Sequence, residues 1–125
     1  MRFVFIGSVL LATTAPAAAA PGDMDVQTFL AKAEKLEKKG ALALLSSDLK
    51  VLKREAEGAA KTYRTRIVAD QEAGRQPHSC PPKGKQAMTS DELLGHLRSY
   101  PAAKRPSVSM KTAFADLMQK RFPCS

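Results

Sequence analysis

Apolar residues recur at helical spacing in four stretches of this chain, and no window shows a convincing period-two alternation. Val26, Phe29, Leu30, Ala33 and Leu36 form the first stripe, with Lys32, Lys35, Lys38 and Lys39 on the other faces. Pro21-Gly22 leads into it, and Asp23 or Asp25 is placed to cap its start. Gly40 follows the last turn, where a left-handed cap is expected. The pattern predicts a helix over residues 25–39.

Ala41 to Leu45 fits a short helical turn, which Ser46-Ser47-Asp48 breaks or caps. Leu45, Leu49, Leu52, Ala56, Ala59 and Tyr63 then alternate spacings of four and three, and Ile67 continues the seam one position off register. This predicts a second helix over residues 48–73, ending near Gly74. The seam also fits a two-stranded coiled coil, and hence a homodimer, but it lasts barely three heptads and includes two alanines. Packing within the monomer is favoured. Gly58, inside this helix, costs ~1 kcal/mol relative to Ala, which points to a close helix crossing there, a simply tolerated glycine being the alternative.

Residues 74–87 are the one long loop, because Pro77, Pro81, Pro82 and Gly84 exclude regular structure. Met88 to Leu93 reads as a complete helix start. Thr89 and Glu92 form a capping box, and Met88 and Leu93 are placed to staple across it. Leu93, Leu94, Leu97 and Tyr100 give this helix its apolar face, and Pro101 ends it or begins a separate turn. His96, between Leu94 and Leu97, is expected at the surface or its boundary. Ser107 or Ser109 can cap a last helix, whose stripe is Val108, Ala113, Phe114, Leu117 and Met118 and which Pro123 stops.

The fold class expected is therefore all-α: a small four-helix domain over residues 21–125, with two longer helices followed by a helical hairpin between Cys80 and Cys124. The first twenty residues read as a secretory signal peptide. Arg2 is its basic start, Phe3 to Leu11 its apolar core, and Ala17 to Ala20 its cleavage region. That run is too short to span a bilayer, which takes ~20 apolar residues. A periplasmic or secreted protein without stable membrane insertion is expected.

Twenty Lys and Arg face 12 Asp and Glu, a net charge of +8. Basic residues are scattered along the chain rather than clustered, so their first role is solubility. An anionic lipid, cell-wall polymer or acidic protein fits the charge. Nucleic acid does not fit an exported protein. The chain has no Trp, and a domain this small is often marginal without a crosslink. Its two cysteines, Cys80 and Cys124, in an oxidising compartment would supply one, stabilising by ~4 kcal/mol. An intermolecular bridge and two free thiols are the alternatives.

Little else suggests chemistry. His78, Cys80, His96 and Cys124 would suffice in number for zinc, but their spacing matches no finger or ribbon. Neither histidine has a recognisable partner for a nucleophile, and no glycine-rich phosphate loop is present. The expectation is a non-enzymatic protein with no cofactor and no metal.

Cys80-Pro81-Pro82, the capped helix from Ser90, Tyr100-Pro101 with Lys104-Arg105, Ala113-Phe114 and Phe122-Pro123-Cys124 resemble the C-terminal half of the Rap/Tai immunity-protein family. The likeness covers residues 80–125. In the N-terminal half the family's further cysteines, around a Cys-x-Gly-Tyr helix, have no counterpart. The resemblance implies a small, helical periplasmic protein, with the disulfide carried over onto Cys80 and Cys124. It also implies a protein partner, a cell-wall amidase effector of type VI secretion whose active site the immunity protein blocks. The binding residues expected are Arg75, His78, Lys83 and Lys85 of the basic loop, since loops on rigid scaffolds commonly hold such groups. A periplasmic chaperone or stress-response protein without a toxin partner is the alternative.

Overall fold

The computed structural model describes residues 20–84 and 86–125, and its four α-helices follow the predicted order without a strand among them. The expected signal peptide, apart from Ala20, lies outside the described residues, as does Lys85. Local capping chemistry sets each boundary. Helix α1 (Val26–Lys39) starts where Asp25 accepts from the Thr28 backbone N–H at 2.9 Å and the Thr28 hydroxyl at 2.7 Å. Gly40, at φ 55°, closes it. A 3-10 turn, Gly40–Leu45, leads to Ser46, which caps α2 (Ser47–Glu72) by accepting from the Asp48 N–H at 3.3 Å.

Along α2, Leu52, Ala59, Tyr63 and Ile67 are buried. Leu45 does not join them. It is 86% exposed, because it belongs to the 3-10 turn and so falls outside the α-helical register. The seam packs within the chain, against α1 and most extensively against α4.

Among the described residues the nearest neighbour of Gly58 is not a helix. What approaches is the segment before α1: a Cβ on Gly58 would lie 2.4 Å from Pro21 Cβ and 2.7 Å from the Pro21 carbonyl carbon and oxygen. Glu55, one turn away, holds that segment down by accepting from the Gly22 N–H at 2.7 Å and the Met24 N–H at 3.3 Å. Gly22 sits at φ 102°, which favours glycine, and a Cβ there would lie 3.2 Å from Ala59 N. The other edge of the segment meets the start of α4. Lys111 N–H donates to Gly22 O at 3.0 Å, Met110 N–H to Met24 O at 2.8 Å and Val26 N–H to Val108 O at 2.8 Å.

Helix α3 (Ser90–Arg98) begins with Thr89 accepting from the Glu92 N–H at 3.1 Å. The reciprocal half of the capping box is absent, because the Glu92 carboxylate pairs with Arg121 Nε at 3.4 Å instead. After a second 3-10 turn, Arg105–Ser107, Ser109 caps α4 (Met110–Arg121). The main core gathers the α1 stripe with Leu52, Ala59, Leu97, Met110 and Ala113. Leu97 is wholly buried at its centre, a placement that contributes ~1.5–3 kcal/mol relative to exposure. A smaller cluster of Tyr63, Ile67, Ala115 and Met118 lies beyond it, with Phe114 touching both. That second cluster is the floor on which the long loop rests.

Candidate binding site at the braced loop

The loop begins with a firm stop. Gly74, at φ 68°, donates its N–H to Gln71 O at 3.1 Å, and Arg75 N–H reaches Asp70 O at 2.9 Å. These two bonds make a Schellman cap, satisfying carbonyls that the end of α2 would otherwise leave open. The Arg75 guanidinium turns back as well, with Nε 3.2 Å and Nη2 3.1 Å from Asp70 Oδ1.

Its middle is fastened to the interior. Tyr63 occupies a buried seam position on α2, so its hydroxyl needs a partner. It finds two: Ser79 Oγ at 2.5 Å and His78 Nδ1 at 3.0 Å. Ser79 is fully buried, and the His78 ring stands edge-on to Tyr63 at 5.8 Å between centroids. One residue later the chain is tied covalently. Cys80 and Cys124 form a disulfide within the chain, with Cα atoms 4.9 Å apart. Beside it Cys80 N–H donates to Phe122 O at 2.8 Å.

The far end is held from α4. Arg121 Nη2 donates to Ala87 O at 2.6 Å, while the same guanidinium lies 5.0 Å over the Phe122 ring. Between the Cys80 and Ala87 anchors, Pro82, Lys83, Gly84 and Gln86 are exposed. An exposed tip therefore lies between two fixed points.

Of the four loop residues singled out by sequence, Lys83 is on this tip. Lys85 lies outside the described residues. Arg75 stands at the loop's start, exposed but committed to Asp70. His78 turns inward to Tyr63 and acts as an anchor. Tyr63, Ser79 and Arg121, which hold the loop, were not singled out. The one clue was a tyrosine on an apolar seam, whose hydroxyl had to be satisfied somewhere.

A second polar cluster joins α3 to α4. His96 is buried, not a surface or boundary residue, because its Nε2 donates to Ala113 O at 2.8 Å. The Tyr100 hydroxyl donates to Asp116 Oδ2 at 2.5 Å and lies 3.3 Å from His96 Nε2. Burial lowers the His96 pKa, reinforced by Lys120 and opposed by the Ala113 bond and Asp116. Burial, with the Asp116 carboxylate, raises that of Tyr100 well above its ordinary value. Both groups serve the contact between α3 and α4 through these bonds.

Among the described residues no group of three or more His, Cys, Asp and Glu is placed to hold a metal ion. No helix among them is long and apolar enough to cross a membrane. Comparison with protein-family models, curated proteins and solved structures finds no match for this chain.

Proposed function

We propose that this is an exported, non-enzymatic protein that binds another protein through the tip of the braced loop, in the manner of immunity proteins that sterically block a cell-wall amidase. One observation carries the reading. The loop is fastened at Gly74, at Ser79 and Cys80, and at Ala87, and Pro82, Lys83, Gly84 and Gln86 between the last two anchors are exposed. Fixed ends shorten the span that must be ordered on docking, which favours insertion of the stretch between them into a partner's cleft. Lys83 there, and Lys85 by sequence, give it a positive charge suited to a cleft with an acidic rim. The use of both histidines as structural bonds supports binding over catalysis. Export is supported by the basic-then-apolar start of the sequence and by the disulfide, which persists in oxidising compartments.

The test is capture from the producing cell under non-reducing conditions with the mature protein. One protein should be retained in near-stoichiometric yield, and Lys83→Glu with Lys85→Glu should release it. Retention of the same protein by the variant would remove the loop from the account. A broad set of unfolding clients would favour a chaperone instead. Hydrolysis of cell-wall peptides or esters by the isolated protein would overturn the non-enzymatic reading.

A further inference from the structure

The 3-10 turn between α1 and α2 holds three leucines in water. Leu42, Leu44 and Leu45 are 67%, 77% and 86% exposed, and Ala43 is the residue of the turn that packs on the core. Three residues per turn explains this: with Ala43 facing inward, the positions on either side of it face out. Val51, on the next turns of α2, is 39% exposed as well. Scattered surface leucines are ordinary, but several at one end of a domain mark a contact site. They are not needed to shape the connection, since Gly40 and Ser46 already close the two helix ends.

The charges around this turn are uneven. Between residues 35 and 53 the chain carries Lys35, Lys38, Lys39, Lys50 and Lys53, all exposed, against Glu37 and Asp48. Both acids are engaged, Glu37 with Arg98 at 3.0 Å and Asp48 with Lys32 at 3.1 Å. Among the described residues none of these five lysines is in an ion pair, so ammonium groups flank the leucines.

We propose that this end of the α1–α2 hairpin docks on an anionic phospholipid surface, with Leu42, Leu44 and Leu45 among the upper acyl chains and the lysines against headgroup phosphates. Apolar insertion and lysine–phosphate attraction together make the two-part signal that reversible surface binding needs. A second copy is a poorer occupant, because a two-fold contact would set one ring of lysines against its equivalent. The contact is peripheral: a six-residue 3-10 turn is only ~12 Å long, against the ~30 Å of a bilayer core. Geometry leaves the other end free. Tyr63, to which the braced loop is bonded, lies along α2 from Ser47 by roughly 24 Å of rise.

Co-sedimentation with vesicles tests this, using residues 20–125, which contain every element, the core and the disulfide. Leaving out residues 1–19 removes the Phe3 to Leu11 run, which would bind lipid by itself. Vesicles of phosphatidylglycerol with phosphatidylcholine should retain the protein, and phosphatidylcholine alone should not. Leu42→Ser, Leu44→Ser and Leu45→Ser combined should weaken binding by about tenfold or more, with an unchanged circular dichroism spectrum. Lys38→Glu with Lys50→Glu, or salt at about 0.5 M, should weaken it too. No binding to the anionic vesicles, or equal binding by the serine variant, would overturn the proposal. So would a dimer in light scattering that the serine variant abolishes, without vesicle binding, since a second copy would then cover the leucines.

Discussion

Replacing Gly58 with alanine sets two effects of known sign against each other. In a helix interior alanine is favoured over glycine by ~1 kcal/mol, so propensity alone predicts a more stable protein. The new methyl group would sit 2.4 Å from Pro21 Cβ and 2.7 Å from its carbonyl atoms, where carbon atoms rest at ~3.5–4.0 Å. The Pro21 segment must therefore retreat by about an ångström. It is held by Gly22 and Met24 donating to Glu55 at 2.7 and 3.3 Å and by Lys111 donating to Gly22 O at 3.0 Å. Losing two or three such bonds costs ~1 kcal/mol each, which outweighs the propensity gain. We expect Gly58→Ala to destabilise by ~1–2 kcal/mol, with the melting point falling ~4–8 °C per kcal/mol in a domain of this size. The control is Gly95→Ala on α3, where a Cβ meets nothing within 4 Å and the full ~0.5–1 kcal/mol gain should appear. Thermal unfolding followed by circular dichroism reads both. If Gly58→Ala raises the melting point as Gly95→Ala does, the segment before α1 is not seated on α2.

Three further outcomes follow from the same geometry. Removing the Cys80–Cys124 tie, with a sequence separation of 44, should cost ~4 kcal/mol from loop-closure entropy, read as a lower urea midpoint in reduced protein. Tyr63→Phe should cost ~1–3 kcal/mol, because it leaves the buried Ser79 hydroxyl unpaired, and should expose the loop to limited proteolysis. Stability should fall as pH drops from about 7 towards 5: an unfolded histidine takes its proton near 6.5, whereas folded His96 resists protonation through burial. The unfolded chain then binds more protons, which favours unfolding. His96→Gln, which keeps a donor for Ala113 O, should flatten that dependence in thermal unfolding across the same range.

What the sequence disclosed was mainly what is local. Asp25, Ser46, Thr89 and Ser109 each cap the helix that follows, and a cap needs only residues two or three positions on. The α1 stripe was legible because one face of that helix meets the core along its whole length. Features set by distant partners were not legible. Leu45 continued an apolar spacing, but the 3-10 turn rotated it into solvent. His96 is buried because of a carbonyl 17 residues away on α4. Pro21, not another helix, explains Gly58. In the loop, composition pointed to the basic residues, while the groups that fix it, Tyr63, Ser79 and Arg121, act through contacts that periodicity does not encode.

The central claim is that the tip between Cys80 and Ala87 meets a protein partner. A photo-crosslinking amino acid in place of Lys83, in the chain produced by its own cell, tests it most directly. The result expected is one discrete covalent adduct of defined mass, absent when the crosslinker replaces Lys104, which is exposed near the opposite end of α4. No adduct at position 83, or the same adduct from both positions, would contradict the account.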